Sequence, residues 1–591
     1  MNSNFDILIV GGGHSGCEAA WIASQFGLRI GLLSMKGVGL ASAPCNPAVG
    51  GVGKGQVVRE LDCLGGLIGK LADMSGIQYR LLNDSKGYAL QSTRVQIDKE
   101  IYSQNAEKLL SKISNLSIIR EKLIKFSKKS ELFEVETENN IFTTKKLIIT
   151  TGTFLAGKLH CGTDIQNGGR SFCQPSGSLN SLNDKVKKLS SKFKTGTPPR
   201  LDRNTIDFTK LIEQKSDSDV SNFHCLNFNK DRQLDQVSCF LTHTNERMMS
   251  IIRENINSSP VFNGQINGVG PRYCPSIEDK ASRYPDRNIH HVFVEPEGLN
   301  INTFYPNGLS TSLPIEIQQK FINTMNGLEE AKILQPGYAV EYDVIDTTAL
   351  NSSLEVIDFP GLYFAGQVNG TSGYEEAAAQ GYVTGVNAAL SLLEKSQLVF
   401  SRFDSYIGVL VEDLITKERD EPYRLFAARS ENRLYIREDN TILRMWSYRT
   451  SLNLNLPVDK FNTEFFEYNS ILENLDEKSN VFGNDYLKLK NPIEYINTVI
   501  KDKNIYIPNY IQKAFAINKK YEGYIVRLKK DISKIEKFSN KKINWKKLCS
   551  SNNISFECKQ RIQSVKPESF GQLKNINGIR QATLLYVSGN I

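Results

Sequence analysis

The stretch that decides the fold is Phe5-Asp6-Ile7-Leu8-Ile9-Val10-Gly11-Gly12-Gly13-His14-Ser15-Gly16. An apolar run of strand length ends in three glycines. The helix formers Cys17-Glu18-Ala19-Ala20-Trp21-Ile22-Ala23 follow, and then a second apolar run, Leu28-Arg29-Ile30-Gly31-Leu32-Leu33. This order reads as a βαβ unit with a parallel sheet. Gly11, Gly13 and Gly16 spell G-x-G-x-x-G at the strand-to-helix turn. The first glycine permits the turn, the second lets the backbone approach a pyrophosphate, and the third lets helix and strand pack closely. The helix N-terminus favours the negative charge. The same fingerprint asks for Asp or Glu at the end of the second strand to hold a ribose, and Ser34 stands there. The adenosine end of the ligand is therefore expected to be held differently.

A second glycine-rich region lies about 350 residues downstream: Gly361-Leu362-Tyr363-Phe364-Ala365-Gly366-Gln367, then Gly373-Tyr374-Glu375-Glu376-Ala377-Ala378-Ala379-Gln380-Gly381. A short strand followed by a helix N-terminus suits a chain returning to its cofactor, because the helix dipole favours negative charge on a reduced flavin. An Ala/Gly-rich helix built only for close packing would look similar. Paired with the N-terminal turn, the region favours FAD. A P-loop does not fit: in Ala48-Val49-Gly50-Gly51-Val52-Gly53-Lys54-Gly55, Ala48 and Gly55 occupy the positions of the first glycine and the Ser/Thr.

The chain has 591 residues, 40% hydrophobic and 23% charged, which excludes global disorder and implies several domains. No apolar run approaches a membrane span, and the N-terminus carries no signal-like pattern, so a cytoplasmic protein is expected. Ten cysteines are scattered with no C-x-x-C pair, and the six histidines are dispersed. No metal site and no disulfide framework are expected. The fold class is α/β. A Rossmann-type FAD-binding domain is expected over residues 1–200 and 275–400, an inserted α/β domain, NAD- or substrate-related, over 201–274, and a helical C-terminal domain over 401–591.

Four longer segments resemble the MnmG (GidA) family: Cys45-Asn46-Pro47-Ala48-Val49-Gly50-Gly51-Val52-Gly53-Lys54-Gly55, Lys194-Thr195-Gly196-Thr197-Pro198-Pro199-Arg200, Gly268 through Lys280, and Gly373 through Gly381. The likeness extends to Tyr521-Glu522-Gly523-Tyr524-Ile525 and Gly571-Gln572-Leu573, and so covers nearly the whole chain. It implies an enzyme that adds an aminomethyl or carboxymethylaminomethyl group to carbon 5 of the wobble uridine of certain tRNAs. FAD, NADH and methylenetetrahydrofolate would serve it, with nitrogen from ammonium or glycine. The GTPase MnmE would be its partner, two subunits of each forming a heterotetramer around a homodimer. The resemblance puts FAD contacts at Gly11, Gly12, Gly13, His14, Ser15, Gly16, Leu123, Ser176 and Gln367. It puts an NAD stretch over 270–284, including Gly270, Pro271, Arg272 and Tyr273, and functional cysteines at Cys45 and Cys274. Tyr88 and Gln91 depart from the family pattern, where Pro and Arg are usual, and residues 414–420 lack its usual Gly-Thr.

Carbon 5 of uracil is a poor nucleophile. Thiolate attack at carbon 6 makes it enolate-like, and the thiolate is the active form of cysteine. Cys45 and Cys274 are the candidates; the bland alternative is that either only lines a pocket. The net charge is +8, and residues 501–550 carry 14 Lys and Arg against 4 Asp and Glu, a surplus of ten that leaves the rest near neutral. Arg424, Arg429, Arg433 and Arg437 lie nearby, the last three spaced by four as on one helical stripe. Such a surface suits a tRNA backbone. Pairing with Glu431 and Glu438, or docking of MnmE, are the competing uses. Two other readings are a folate- and FAD-dependent tRNA uracil methyltransferase, disfavoured by the long helical C-terminal region, and a non-catalytic flavoprotein scaffold.

Overall fold

β1 (Asn4–Val10) lies inside its sheet, with Ile7, Leu8, Ile9 and Val10 all buried, as a parallel strand covered on both faces must be. The computed structural model describes residues 4–170, 190–228, 230–266, 268–270, 275–416, 421–479, 492–538, 541–574, 576 and 579–590. α1 (His14–Ser24) carries the chain to β2 (Ile30–Leu33), parallel to β1 with Ile7 opposite Ile30. On its other side β1 pairs in parallel with β3 (Ile141–Ile149). β3 forks. Its first residues pair antiparallel with Leu132–Thr137, and its last three pair in parallel with β4 (Leu362–Phe364). The two glycine regions of the sequence thus meet at one sheet.

Two helices frame that meeting. α2 (Lys54–Cys63) follows the glycine loop, and α3 (Tyr374–Leu392) follows β4 and crosses α1. The glycines of α3 are what allow the crossing. A Cβ on Gly381 would collide with the Ser15 carbonyl, and one on Gly385 would lie 2.6 Å from the Ala19 carbonyl oxygen. Close packing is therefore one use of this helix, and its first turn, Tyr374, Glu375 and Ala377, also lines a cavity.

The second body is a six-stranded antiparallel sheet in the order Ile212–Gln214, Cys239–His243, His291–Pro296, Thr303–Asn307, Arg200–Asp202, Ile333–Gln335. It has its own core, running from Leu201 through Met248, Val294 and Phe321 to Ala331. The expected insert of 201–274 is thus too short. Residues 275–331 share its sheet and core, because Arg200–Asp202 pairs with a strand a hundred residues later. A four-stranded sheet that includes Lys158–Cys161 and Tyr338–Ile345 stands beside it.

Beyond residue 400 the described segments are helical, among them α4 (Thr441–Ser451) and α5 (Asn509–Lys537). The boundary there is compositional. Ile407, Leu410, Met445 and Phe515 belong to the nucleotide-sheet core, while residues from Leu548 to Val587 hold a separate small core. No described helix is long and apolar enough to cross a membrane.

α2 and α4 are tied by a buried ion pair, Arg444 Nη1 to Glu60 Oε1 at 2.8 Å, both side chains fully buried. Glu60 also accepts the N–H groups of Tyr406 and Ile407, each at 3.0 Å. One carboxylate thus anchors two helical segments to the core of the parallel sheet. Arg444→Met leaves the buried Glu60 carboxyl without its cation and should cost about 3–5 kcal/mol. Calorimetry should show a lower first unfolding transition, with Glu60→Gln restoring part of it in the double variant. An unmoved transition means the helices are held by packing alone.

Candidate nucleotide and thiol site

A cavity of about 500 Å³ is lined by the end of β1, the first turns of α1 and α3, the Cys45 loop, and Tyr305 and Asn307 of the second body. Gly11, Gly12, Gly13, His14 and Ser15 all line it, as do Leu123 and Gln367. Their roles divide as the fingerprint requires. A Cβ on Gly11 would strike the Thr150 carbonyl, and one on Gly16 the Gly11 carbonyl, so these two set the turn and its packing. A Cβ on Gly13 would meet nothing within 4 Å, so there the backbone faces open space. Gly16 itself does not line the cavity.

Buried polar atoms of this wall that lack a hydrogen-bond partner among the described residues include His14 Nε2, Ser15 Oγ, Ser34 Oγ and Thr151 Oγ1. Together with the free N–H groups of the α1 terminus they form a cradle for an anionic, oxygen-rich ligand. Ser34 sits where the fingerprint calls for an acid, so the second strand offers a hydroxyl at that point. The His14 ring stacks on Tyr374, centroids 4.3 Å apart. Burial pulls the imidazole down from 6.5 to about 4, the nearby Glu375 carboxylate opposing it, so the ring is neutral at pH 7.

The Cys45 loop is held from three sides. The Cys45 N–H donates to Tyr374 Oη at 2.9 Å, and its Sγ lies 3.2 Å from Tyr305 Oη. The Gly50 N–H donates to Glu375 at 2.6 Å, and Lys54 Nζ reaches both Glu375 and Glu376 at 3.0 Å. Burial pulls Lys54 down, but the two carboxylates outweigh it and hold the ammonium above its usual value. Burial likewise pushes Glu375 up, and Lys54 with the Gly50 N–H holds it down. Lys54 and Glu375, both inside quoted motifs, were assigned no role in the sequence; the buried pairing that gives them one is long-range. Tyr305 lay in no quoted motif.

Other sequence candidates fall elsewhere. Gly270 packs against the Lys194 stem and is not part of the lining. Ser176, Pro271, Arg272, Tyr273 and Cys274 lie outside the described residues; Pro275 and Lys280, just beyond, line the cavity. The arginine stripe is corrected. Residues 427–429 form a short 3₁₀ helix and 431–440 are turns, so the spacing of four does not align them. Arg437 is fully buried and pairs with Asp439 at 2.9 Å, which removes it from any phosphate surface. Arg429 lies over the Tyr423 ring, Arg433 is exposed, and Arg424 lines the cavity. Glu431 pairs with Arg402 and Glu438 with Arg59. The fold also gathers a buried group the spacing did not show, Asp62, His224 and Cys225, with ligand atoms within 4.8 Å of one another. Asp62 already accepts from the Cys225 N–H at 2.8 Å and sits 2.6 Å from His224 Nδ1, so the group ties α2 to the loop between the Ile212–Gln214 and Cys239–His243 strands.

His14 generates a pH prediction. Its folded pKa, about 4, lies below the unfolded 6.5, so the unfolded chain takes up the proton first and stability falls as pH drops through that window. The thermal midpoint of His14→Asn should therefore fall less steeply from pH 6.5 to 4 than that of the wild type. Parallel slopes would show that His14 is protonated in the folded protein.

The profile of the family described as "Glucose inhibited division protein A" matches residues 6–396. A curated relative from Thermodesulfovibrio yellowstonii, "tRNA uridine 5-carboxymethylaminomethyl modification enzyme MnmG", is 39% identical over 626 aligned positions, spanning 98% of this chain and 97% of that protein. Two structures of Aquifex aeolicus GidA, from the form II and form I crystals, are 36% and 37% identical and each has a TM-score of 0.84, covering 99% of both chains. Matched by that family over residues 6–396 and aligned across 98% of its length with a relative 39% identical to it, the chain belongs to the GidA family.

Proposed function

We propose that this chain is the FAD-dependent subunit of an enzyme that adds an aminomethyl or carboxymethylaminomethyl group to carbon 5 of a tRNA wobble uridine. The observation that carries this is the sharing of one cavity by the dinucleotide turn and Cys45, in a chain aligned end to end with a relative named for that modification. NADH as reductant, methylenetetrahydrofolate as one-carbon donor and the GTPase MnmE as partner belong to the same proposal. So do the homodimer and the cytoplasmic location.

FAD fits the residues present. The pyrophosphate would be held by Gly11 to Ser15 and the α1 terminus, and the ribityl side by Gln367 and the first turn of α3; Ser176 remains an FAD contact by resemblance. When bound, FAD supplies the two-electron chemistry that a folate-derived one-carbon unit requires. The chain's own part is to orient, to shield and to offer a thiol. The Cys45 thiolate would add to carbon 6 of the uracil, its lone pair forming the S–C bond while the ring double bond shifts its electrons toward carbon 5 and the carbonyl at carbon 4. Loss of the carbon-5 proton and expulsion of the thiolate restore the ring once substitution is complete. Cys274 is the second proposed thiol, and 270–284 the proposed NAD segment. Arg424 at the cavity, with Arg429, Arg433 and the basic 501–550 segment outside it, are the proposed tRNA contacts.

Two measurements test this reading. Purified protein should be yellow, and Gly13→Glu should lose most of its flavin, since a carboxylate would enter the space left for a pyrophosphate. Full occupancy in that variant would misplace the site. Turnover on undermodified tRNA with MnmE, FAD, NADH and methylenetetrahydrofolate should yield a 5-aminomethyl or 5-carboxymethylaminomethyl uridine by nucleoside mass spectrometry. Cys45→Ser should cut the rate at least a hundredfold, because a serine alcohol is scarcely ionised at neutral pH. A 5-methyluridine product would instead favour the methyltransferase reading.

A further inference from the structure

We infer that Tyr305, backed by Arg200, is the group that activates and positions the Cys45 thiol. Both residues come from the second body. Leu201 stands opposite Phe304 in an antiparallel pair, which puts Arg200 and Tyr305 opposite each other at the next rung. The Arg200 guanidinium lies over the Tyr305 ring, 4.8 Å from its centroid. Both side chains are buried, Tyr305 at 2% and Arg200 at 4% exposure, and the Tyr305 hydroxyl is 3.2 Å from Cys45 Sγ. Arg200 also donates to the carbonyl of Pro44, the residue before Cys45. It is fixed in turn by Glu297 at 3.1 Å and by Thr197 and the Pro198 carbonyl, each at 2.7 Å.

The chemistry follows from the direction of one hydrogen bond. While Cys45 is a thiol, either sulfur or phenol can donate. Once the thiol proton has left for solvent, the sulfur has nothing to donate, so Tyr305 keeps its own proton and donates a hydrogen bond to the thiolate. A hydrogen bond made to the charged form stabilises that form. The guanidinium beyond the ring is permanently charged and adds a cation on the same side without contacting sulfur. Among the described residues, the groups around the thiol include Tyr374, whose hydroxyl accepts the Cys45 N–H, and Glu375, whose charge is balanced by Lys54. Glu297 is balanced by Arg200 and Lys99. Arg170, Lys280 and Arg424 line the same cavity. Glu375 and Glu297, the carboxylates nearest these partners, are thus each paired with a cation, while Glu121, also in the lining, accepts from Thr137 and Asn140. Tyr305 touches the thiol directly; Arg200 is a positioning residue acting through Tyr305 and Pro44.

The inference rests on Cys45 being the working thiol, and its test separates the two. The purified flavin-loaded chain is alkylated with iodoacetamide from pH 5 to 10, and the rate at the Cys45 peptide is read by mass spectrometry. Flavin absorbance and the thermal midpoint confirm that each variant is folded. Tyr305→Phe should slow alkylation at pH 7 about tenfold, as one unit of thiol pKa implies, while the rate at pH 10, where the thiol is ionised in both, stays within about twofold. Arg200→Lys should shift the profile less than Arg200→Met. Superimposed wild-type and Tyr305→Phe profiles overturn the inference. So does a uniform slowing at every pH, which would report access and not ionisation. A shifted profile with wild-type tRNA turnover upholds the activation of Cys45 but removes it as the nucleophile in the proposed reaction.

Discussion

Lys54 is the charge around which the site is arranged. It is buried at the first turn of α2, between Glu375 and Glu376 at the first turn of α3. Neither carboxylate is free to serve it alone. Glu375 also receives the Gly50 N–H, and Glu376 receives the Leu425 N–H at 3.0 Å. Three chain segments far apart in sequence are thus bound to one buried triad: the glycine loop, the start of α3 and the segment entering the helical region. Such a cluster is costly to bury and stable only when complete, so it specifies one arrangement of those segments. Gly373 shows how tight the arrangement is. Its φ of +146° suits glycine, and a Cβ there would strike both Glu376 and Lys54.

The parts that were legible in the sequence are those with local causes. β1, α1 and β2 follow from an apolar run, a glycine turn and a second apolar run, each readable within thirty residues. The division of labour among Gly11, Gly13 and Gly16 was legible for the same reason, since it depends on backbone geometry at one turn. The end of the inserted body was not. It depends on Arg200–Asp202 pairing with Thr303–Asn307 across a hundred residues, and no local pattern announces that pairing. The arginine spacing misled because it presumed a helix. Asn440 instead accepts the Arg437 N–H and donates to the Tyr435 carbonyl. A side-chain amide thus takes over backbone hydrogen bonds that a helix would have made, and the turn it builds points Arg437 inward toward Asp439.

The Cys45 site lies between these extremes. The residues that shape it were nearly all inside quoted motifs, yet their roles depend on contacts between motifs. Lys54 sat in a loop that resembled a failed P-loop. Its lysine is used, but for two internal carboxylates. Arg200 closed a Pro-rich motif whose purpose was not visible until its strand was seen beside Tyr305. A motif that is long but has no obvious chemistry of its own is, in this fold, often one half of a contact.

The cavity is completed only when separate parts are in register. The nucleotide sheet supplies the glycine turn, the second body supplies Tyr305 with Arg200 behind it, and the segment leading to the helices supplies Arg424. That last segment is hydrogen-bonded into the site: the Tyr423 N–H donates to the Gly370 carbonyl at 2.8 Å, the Tyr423 carbonyl accepts the Ser372 N–H at 2.9 Å, and the Leu425 N–H donates to Glu376. The helical region is therefore continuous with the cavity wall. A displacement of residues 423–425 would have to break a hydrogen bond to a buried carboxylate that also holds Lys54, and Lys54 in turn holds Glu375 and with it the loop that follows Cys45. Leu425, Glu376, Lys54, Glu375 and Gly50 thus form one unbroken run of hydrogen bonds and ion pairs, which joins the segment 423–425 to the loop that follows Cys45.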